Sequence, residues 1–261
     1  MSDATPDYSP AEMMVVKAAE QLEDGAVTFV GVGLPVLAAN LAGKTHAPAL
    51  ISAYEGGFLR GTPSPSVAFA IDDPVLATGA DMTGDMHATM SMMYRGEVEY
   101  AFLGGAQVDK YGNINSTGIG DFADEREEFK YIVGSGGAND MGSNGHKTII
   151  MMPHTPTKLV EEVDFLTTPG YLDGPGSREE VGLPPDTGPE TVITTKGILK
   201  FDDDTKEAYL QAYYPGEDIA EIKGQTGWDL DVADDVYEVE PPHEEQLELL
   251  REDIDPEGLY L

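Results

Sequence analysis

An α/β fold built on a mostly parallel sheet is what this sequence predicts, and three observations lead there. Apolar runs of strand length alternate with stretches of helical periodicity, the order that yields parallel strands joined by crossover helices. Glycine-rich segments follow several of those runs, at 56–57, 104–105 and 134–137. The 261 residues, 41% of them hydrophobic, suffice for a large core, and neither a repeat nor a dividing linker interrupts them, so one domain over 1–261 is expected.

The elements follow in order. Ser9-Pro10-Ala11-Glu12 has the form of a capping box with proline in the first turn, which predicts a helix to about Leu22, ending at Asp24-Gly25. Ala26–Val30 reads as a strand, Gly31-Val32-Gly33 as a turn, and Pro35 as the opening of a second helix through Ala42. Leu50–Tyr54 is the next strand and delivers Glu55. Thr62-Pro63-Ser64-Pro65 is loop and Asp72-Asp73-Pro74 a turn. A helix over Asp85–Tyr94 is expected to pack its Met86, Met90 and Met93 face into the core. Val98–Leu103 is a strand into the second glycine segment, and Tyr131–Val133 a short strand into the third. Thr148–Met152 is an apolar strand and Glu161–Phe165 a further short element. Residues 168–190, rich in Gly and Pro, read as a long ordered loop. Thr191–Thr195 and Ile198–Phe201 form a hairpin across Lys196-Gly197, and Glu207–Tyr214 adds a third strand, together a small antiparallel appendage. A helix near His243–Glu252 closes the chain.

Charge and composition exclude several classes of function. Forty-eight acidic residues against 15 basic give a net charge of −33, the wrong sign for nucleic acid or an anionic membrane surface. The acids are spread over the chain, as in Glu125-Arg126-Glu127-Glu128, Asp202-Asp203-Asp204 and Asp234-Asp235, a pattern expected of a solvated surface adapted to high salt. There is no cysteine, so catalysis by a protein thiolate and disulfides are excluded. The five histidines have no close pair at helical metal spacing, and no metal site is expected. No apolar stretch reaches membrane-spanning length, and Met1-Ser2-Asp3-Ala4-Thr5 lacks a basic-then-apolar leader, so a cytoplasmic protein is expected.

Glu55 is the strongest catalytic candidate. It leaves a buried strand at its carboxyl edge, where open α/β sheets bind ligands, and Gly56-Gly57 let the backbone turn close to a bound molecule. A carboxylate set among loops of little bulk suits attack on an acyl group, and paired glycine N–H groups such as Gly136 and Gly137 suit its oxyanion. Gly33, Gly56, Gln107, Asn113 and Ala138 are candidates for substrate contact. Taken singly, Glu55 reads as a strand-end carboxylate facing water, and Gly134–Ala138 is as much a plain turn as an oxyanion segment.

The ordered set is more specific. Glu55-Gly56-Gly57, Gly104–Thr117 and Gly134–Asp140 resemble the B-subunit signatures of family I coenzyme A transferases. So do Gly31-Val32-Gly33-Leu34-Pro35, Thr168–Gly176, Lys196–Asp202, Ala212-Tyr213-Tyr214-Pro215 and Thr226–Val232, in order over nearly the full length. The likeness is greatest to glutaconate-type B subunits. The resemblance implies a single three-layer domain of the CoA-transferase/NagB-like superfamily. It implies that Glu55 forms an acyl anhydride and then a CoA thioester, and that Gly136 and Gly137 belong to the oxyanion segment. It implies coenzyme A as substrate with no permanently bound cofactor, and an A subunit as partner in an α2β2 or larger heteromer. Gly56 stands where that family usually has Ser or Asn, and residues 58–96 match least. A hydrolase of CoA thioesters or rings on the same scaffold, and a non-catalytic ligand-sensing α/β module, are the two rival readings.

Overall fold

Ser9 begins the first helix as its sequence requires. In a computed structural model, which describes residues 7–122 and 129–261, the Ser9 hydroxyl accepts from the Glu12 N–H at 3.2 Å while the Glu12 carboxylate accepts from the Ser9 N–H at 2.7 Å. The helix α1 (Pro10–Ala19) buries every residue from Glu12 onward. The acidic run at 125–128 and the first residues of the chain lie outside the described residues.

The chain divides into two compact units, one holding the residues up to Phe102 together with Val239–Leu261, the other Leu103–Glu238. In the first unit α1 is followed by β1 (Val27–Phe29), α2 (Leu34–Lys44), β2 (Ile51–Tyr54), β3 (Phe58–Arg60), β4 (Met82–Thr83), α3 (Met86–Tyr94) and β5 (Tyr100–Leu103). Strand β1 runs parallel to β2 on one side and to β5 on the other, and β3 and β4 continue from β2 as antiparallel strands. Helix α1 packs on α2. The C-terminal segment returns to the same unit as a helix over Glu244–Glu248 and a π-turn over Leu249–Ile254, and Arg251 there reaches the Glu12 carboxylate at 3.0 Å. Burial pushes the Glu12 carboxyl up, but the Arg251 and Ser9 bonds outweigh it and hold the group below the usual carboxylate range.

The second unit carries two short ribbons, β6 (Gln107–Val108) with β7 (Ile114–Asn115) and β8 (Gly118–Ile119) with β9 (Lys130–Tyr131), both antiparallel. Then come α4 (Ala138–Asn144), β10 (Lys147–Met152), α5 (Ser177–Glu180), β11 (Gly188–Thr194), β12 (Gly197–Phe201), β13 (Ala208–Tyr213), α6 (Ile219–Gly224) and β14 (Asp231–Glu238). Strand β10 is apolar and buried from Thr148 to Met152 and pairs in parallel with β11. Strands β11, β12 and β13 form the expected antiparallel appendage, and β14 adds to β13 in parallel. The fold class is α/β as predicted.

Four expectations are corrected. Helix α3 buries Thr89, Met92 and Met93 and leaves Met86 53% exposed, so the 86–90–93 stripe is not its core face. Residues 161–165 form no helix or strand; they lie between two isolated bridges, Val108 with Leu159 and Ile114 with Thr168. The 168–190 stretch is not loop throughout, since it contains the single turn α5 and the start of β11. Strand β9 ends at Tyr131, and Ile132 and Val133 are exposed extensions of it. The long stretch is fixed instead by Arg178, which is buried and donates to the carbonyls of Gly142 at 3.1 Å and Gly170 at 2.7 Å and to the Thr187 hydroxyl at 2.7 Å.

Candidate active site

Glu55 stands in the first unit, directly after β2, half-buried on the turn that joins β2 to β3. The neighbouring parallel strand β1 ends in the Gly31–Gly33 turn, which opens α2 with Gly33 as a cap that lacks a side chain. Both turns lie at the carboxyl ends of adjacent parallel strands, where an open sheet leaves its binding crevice. The hairpin register Tyr54↔Phe58 leaves Glu55, Gly56 and Gly57 as the three residues of the turn.

That turn is gripped on two sides. The Gly57 N–H donates to the Tyr54 carbonyl at 3.0 Å, and the Gly57 carbonyl accepts from the Gly84 N–H at 2.8 Å. Gly57 sits at φ +93°, and a Cβ there would stand 2.5 Å from the Gly84 carbonyl oxygen, so glycine is required by conformation and by space. On the other side the Gly56 N–H donates to the Ile71 carbonyl at 3.2 Å. A Cβ on Gly56 would collide with that same oxygen and with the Asp72 backbone. Glycine at this position thus has a physical cause: segment 69–73 occupies the place a side chain would take.

Segment 69–73 is itself well tied. The Asp73 carboxylate accepts from the Val75 N–H at 3.0 Å and from the Phe69 N–H at 3.0 Å, and those bonds hold its carboxyl below the usual range. Tyr260 donates to the Ala68 carbonyl at 2.9 Å, and the buried Asn40 side chain accepts from the Ser64 N–H at 3.0 Å. Arg60, only 3% exposed, spans the whole loop by donating to the carbonyls of Thr62, Pro63, Leu76 and Thr78. Sequence reading missed Arg60, because an arginine at the end of a three-residue strand carries no local mark of burial.

The second unit holds the remaining candidates. Gly136 is exposed at φ +50°, Gly137 is buried and caps α4 without a side-chain bond, and Ala138 is the first residue of that helix. At this end of α4 the Ala138 N–H donates to the Ser135 carbonyl at 3.0 Å, so it is already engaged. The adjoining residues Tyr131, Ile132 and Val133 are exposed apolar groups, Val133 at 88%. The Gly134 backbone is pinned to Ser116, its N–H donating to the Ser116 carbonyl at 3.0 Å and its carbonyl accepting from the Ser116 hydroxyl at 2.9 Å.

Gln107 and Asn113 are turned inward. The Asn113 amide donates to Asp109 and to the Leu172 carbonyl, both at 2.9 Å, while its oxygen accepts from the Gly170 and Leu172 N–H groups. All four of its hydrogen-bonding positions are used, so it ties the 104–115 and 168–176 loops and has none left for a ligand. The Gln107 oxygen accepts from Asn115 at 2.7 Å and from the Asp164 N–H at 3.0 Å. Beside them Asp109 is buried, and burial pushes its carboxyl up to about 6 against the pull of the Asn113 and Tyr111 bonds. It borders a cleft of about 800 Å³ that Glu161, Glu162, Asp164 and Asp173 also line. That acidic lining repels phosphate. Among the described residues no cluster of His, Asp or Glu has the form of a metal site.

Residues 11–225 match the coenzyme A transferase family. The chain belongs to that family. Among curated proteins, this coenzyme A transferase is 40% identical to the B subunit of glutaconate CoA-transferase from Acidaminococcus fermentans, over 100% of this chain and 97% of that one. It is 35% identical to the B subunit of 3-oxoadipate CoA-transferase from Pseudomonas knackmussii, over 94% of this chain and 92% of the relative. The crystal structure of glutaconate coenzyme A-transferase from Acidaminococcus fermentans superposes with a TM-score of 0.91 at 36% identity, covering 98% of each chain. No helix among the described residues of this family member is long and apolar enough to cross a membrane.

Proposed function

We propose that this chain is the B subunit of a heteromeric acyl-CoA:carboxylate CoA-transferase that carries its covalent intermediates on Glu55 and takes glutaconate-like or related small acyl groups. The observation that carries the reading is the Glu55 turn: a carboxylate at the carboxyl end of a parallel strand, on a three-residue turn whose backbone is fixed by Ile71 and Gly84. A nucleophile held in this way loses little freedom when it attacks.

A Glu55 carboxylate oxygen adds to the thioester carbonyl of the acyl-CoA, and the tetrahedral adduct expels CoA thiolate to leave a mixed anhydride. The thiolate then adds to the glutamyl carbonyl of that anhydride and expels the first carboxylate, leaving CoA on Glu55 as a thioester. A second carboxylate reverses both steps. Each exchange trades one anion for another, so no net proton or electron is consumed. The donors proposed for the tetrahedral oxyanions are the N–H groups of Gly136 and Gly137, and losing one such donor typically costs about 3 kcal/mol of barrier. The enzyme works with an A subunit, in an α2β2 or larger heteromer, in the cytoplasm and without a bound cofactor.

The test co-expresses this chain with its A-type partner and supplies an acyl-CoA with isotope-labelled acetate in high salt. The wild-type complex is expected to yield labelled acetyl-CoA and, by intact-protein mass spectrometry, a CoA adduct on Glu55. Glu55→Gln is expected to assemble normally and to lose both. Full exchange by that variant refutes the nucleophile; free CoA without labelled acetyl-CoA, across a panel of donors, replaces transfer by hydrolysis.

A further inference from the structure

The segment from Gly134 to Asn139 is held at its two ends and open in the middle. At its start the Gly134 backbone is closed on Ser116 by the pair of bonds described above, and the Val133 N–H donates to the same Ser116 carbonyl at 3.3 Å. At its end the Asn139 side-chain amide donates to the Thr167 carbonyl at 3.1 Å. The two anchors belong to one scaffold. The Ser116 N–H donates to the Thr167 hydroxyl at 3.0 Å, and that hydroxyl lies 2.7 Å from the Thr117 hydroxyl.

Between the anchors, the N–H groups of Gly136 and Gly137 have no partner among the described residues, whereas that of Ala138 is taken by Ser135. Gly136 sits at φ +50° and Gly137 at φ −80°. Successive residues of opposite hand turn their N–H groups toward a common point, an arrangement that suits an anion. Where that point lies depends on the peptide planes leading into it. Packing does not fix them, since a Cβ placed on Gly134 or Gly136 would meet no atom within 4 Å. The task falls to hydrogen bonds. The Gly134 carbonyl, in the peptide that leads toward Gly136, accepts from the Ser116 hydroxyl and from no other group among the described residues.

We infer that Ser116 is a positioning residue: its hydroxyl, by holding the Gly134 carbonyl, aims the Gly136 and Gly137 N–H groups at the reacting oxyanion. The inference rests on those two groups as the oxyanion donors proposed above and adds the residue that orients them. Ser116 acts through Gly134. Removing its hydroxyl frees the Gly134–Ser135 peptide plane to turn, while the bond from the Gly134 N–H to the Ser116 carbonyl survives. Donors that are no longer preorganised stabilise the transition state less and leave substrate binding almost unchanged.

The test compares wild type, Ser116→Ala and Ser116→Thr in the complete heteromer. Exchange with labelled acetate gives kcat and KM for the acyl-CoA. Single turnovers read by intact-protein mass spectrometry give the rate and the final level of the CoA adduct on Glu55. Ser116→Ala is expected to lower kcat and the rate of adduct formation about 10- to 100-fold, the scale of a misdirected catalytic group. Its KM and its final adduct level are expected to stay within about twofold of wild type, because only the barrier has changed. Its Tm is expected to stay within about 4 °C, since one half-buried hydroxyl is lost. Ser116→Thr keeps the hydroxyl and is expected to restore both rates. A Ser116→Ala kcat within about twofold of wild type, a loss carried by KM instead, or a loss that Ser116→Thr does not restore overturns the inference and leaves the transferase reading standing. A wild-type complex with neither transfer nor adduct removes that reading, and the inference with it.

Discussion

Arg60 gives the sharpest test of how the loop beside Glu55 is held. Its guanidinium donates to the Leu76 carbonyl at 2.9 Å, to Thr78 at 2.6 Å, to Pro63 at 3.1 Å and to Thr62 at 3.3 Å. The bond to Leu76 is fully buried, so an Arg60→Met substitution strands that acceptor at a cost of about 1–3 kcal/mol. The other three are partly reached by water, which replaces each at a loss of about 0.5–1 kcal/mol. The total is about 2.5–6 kcal/mol, and for a chain of this size it lowers Tm by about 5–11 °C. Arg60→Lys recovers only part, because one ammonium cannot span four oxygens. The assay is thermal unfolding of wild type and both variants at one fixed salt concentration, with kcat/KM measured on the same samples below the transition. The expected order is Arg, Lys, Met in both readouts, because the loop that Arg60 spans includes the seat against Gly56. A Met variant that melts within about 2 °C of wild type refutes the argument, since that shift corresponds to less than about 1 kcal/mol.

Two further outcomes follow from the same geometry. Gly57→Ala forces a Cβ to 2.5 Å from the Gly84 carbonyl at φ +93°, so the Glu55 turn must move, and kcat is expected to fall about 100-fold. The control is Gly25→Ala, equally left-handed at φ +82° but with open space around it, which should lose about 1–2 kcal/mol of stability and no activity. His154 is buried against Thr194, Thr226 and the Ile222 carbonyl, and burial lowers its pKa to about 4. Its folded pKa lies below the unfolded value near 6.5, so its contribution is intact above pH 6.5 and is lost as pH falls from there to about 4, about 3 kcal/mol in all. Asp109, whose folded pKa is raised, works in the opposite sense between pH 3.8 and about 6. The difference between wild type and His154→Gln in chemical denaturation across that range isolates the histidine; an unchanged pH slope in the variant contradicts the assignment.

Local chemistry made much of the fold legible. The Ser9–Glu12 box, the apolar Ile51–Tyr54 strand and the hairpin across Lys196-Gly197 each carry their signal within a few residues. Strand β14 stayed hidden because Asp231, Asp234, Asp235 and Glu238 read as solvated acid; they are tolerated because the strand pairs only along one edge and is largely exposed. The methionine stripe on α3 misled because residues 86, 90 and 93 share a face by spacing alone, and burial chose the side of Thr89 and Met93. At the site, the strand-then-glycine pattern located Glu55, but nothing in it gave the reason for Gly56, whose neighbour Ile71 is 15 residues downstream in the sequence. Arg60, Arg178 and His154 were unreadable for the same cause: Arg178 bonds Gly142 and His154 bonds Thr226, and no local window contains both partners.

The excess of acid over base also bears on how substrate arrives. Coenzyme A is a multiply charged anion, and a chain of net charge −33 repels it. Electrostatic steering, which lets many enzymes collect anionic substrates faster than neutral diffusion, works here in reverse. The repulsion reaches only about a Debye length, roughly 30 Å in dilute buffer and 3 Å in molar salt. Dissolved cations then take the part that lysine and arginine play elsewhere, and the ionic medium becomes a component of the capture step.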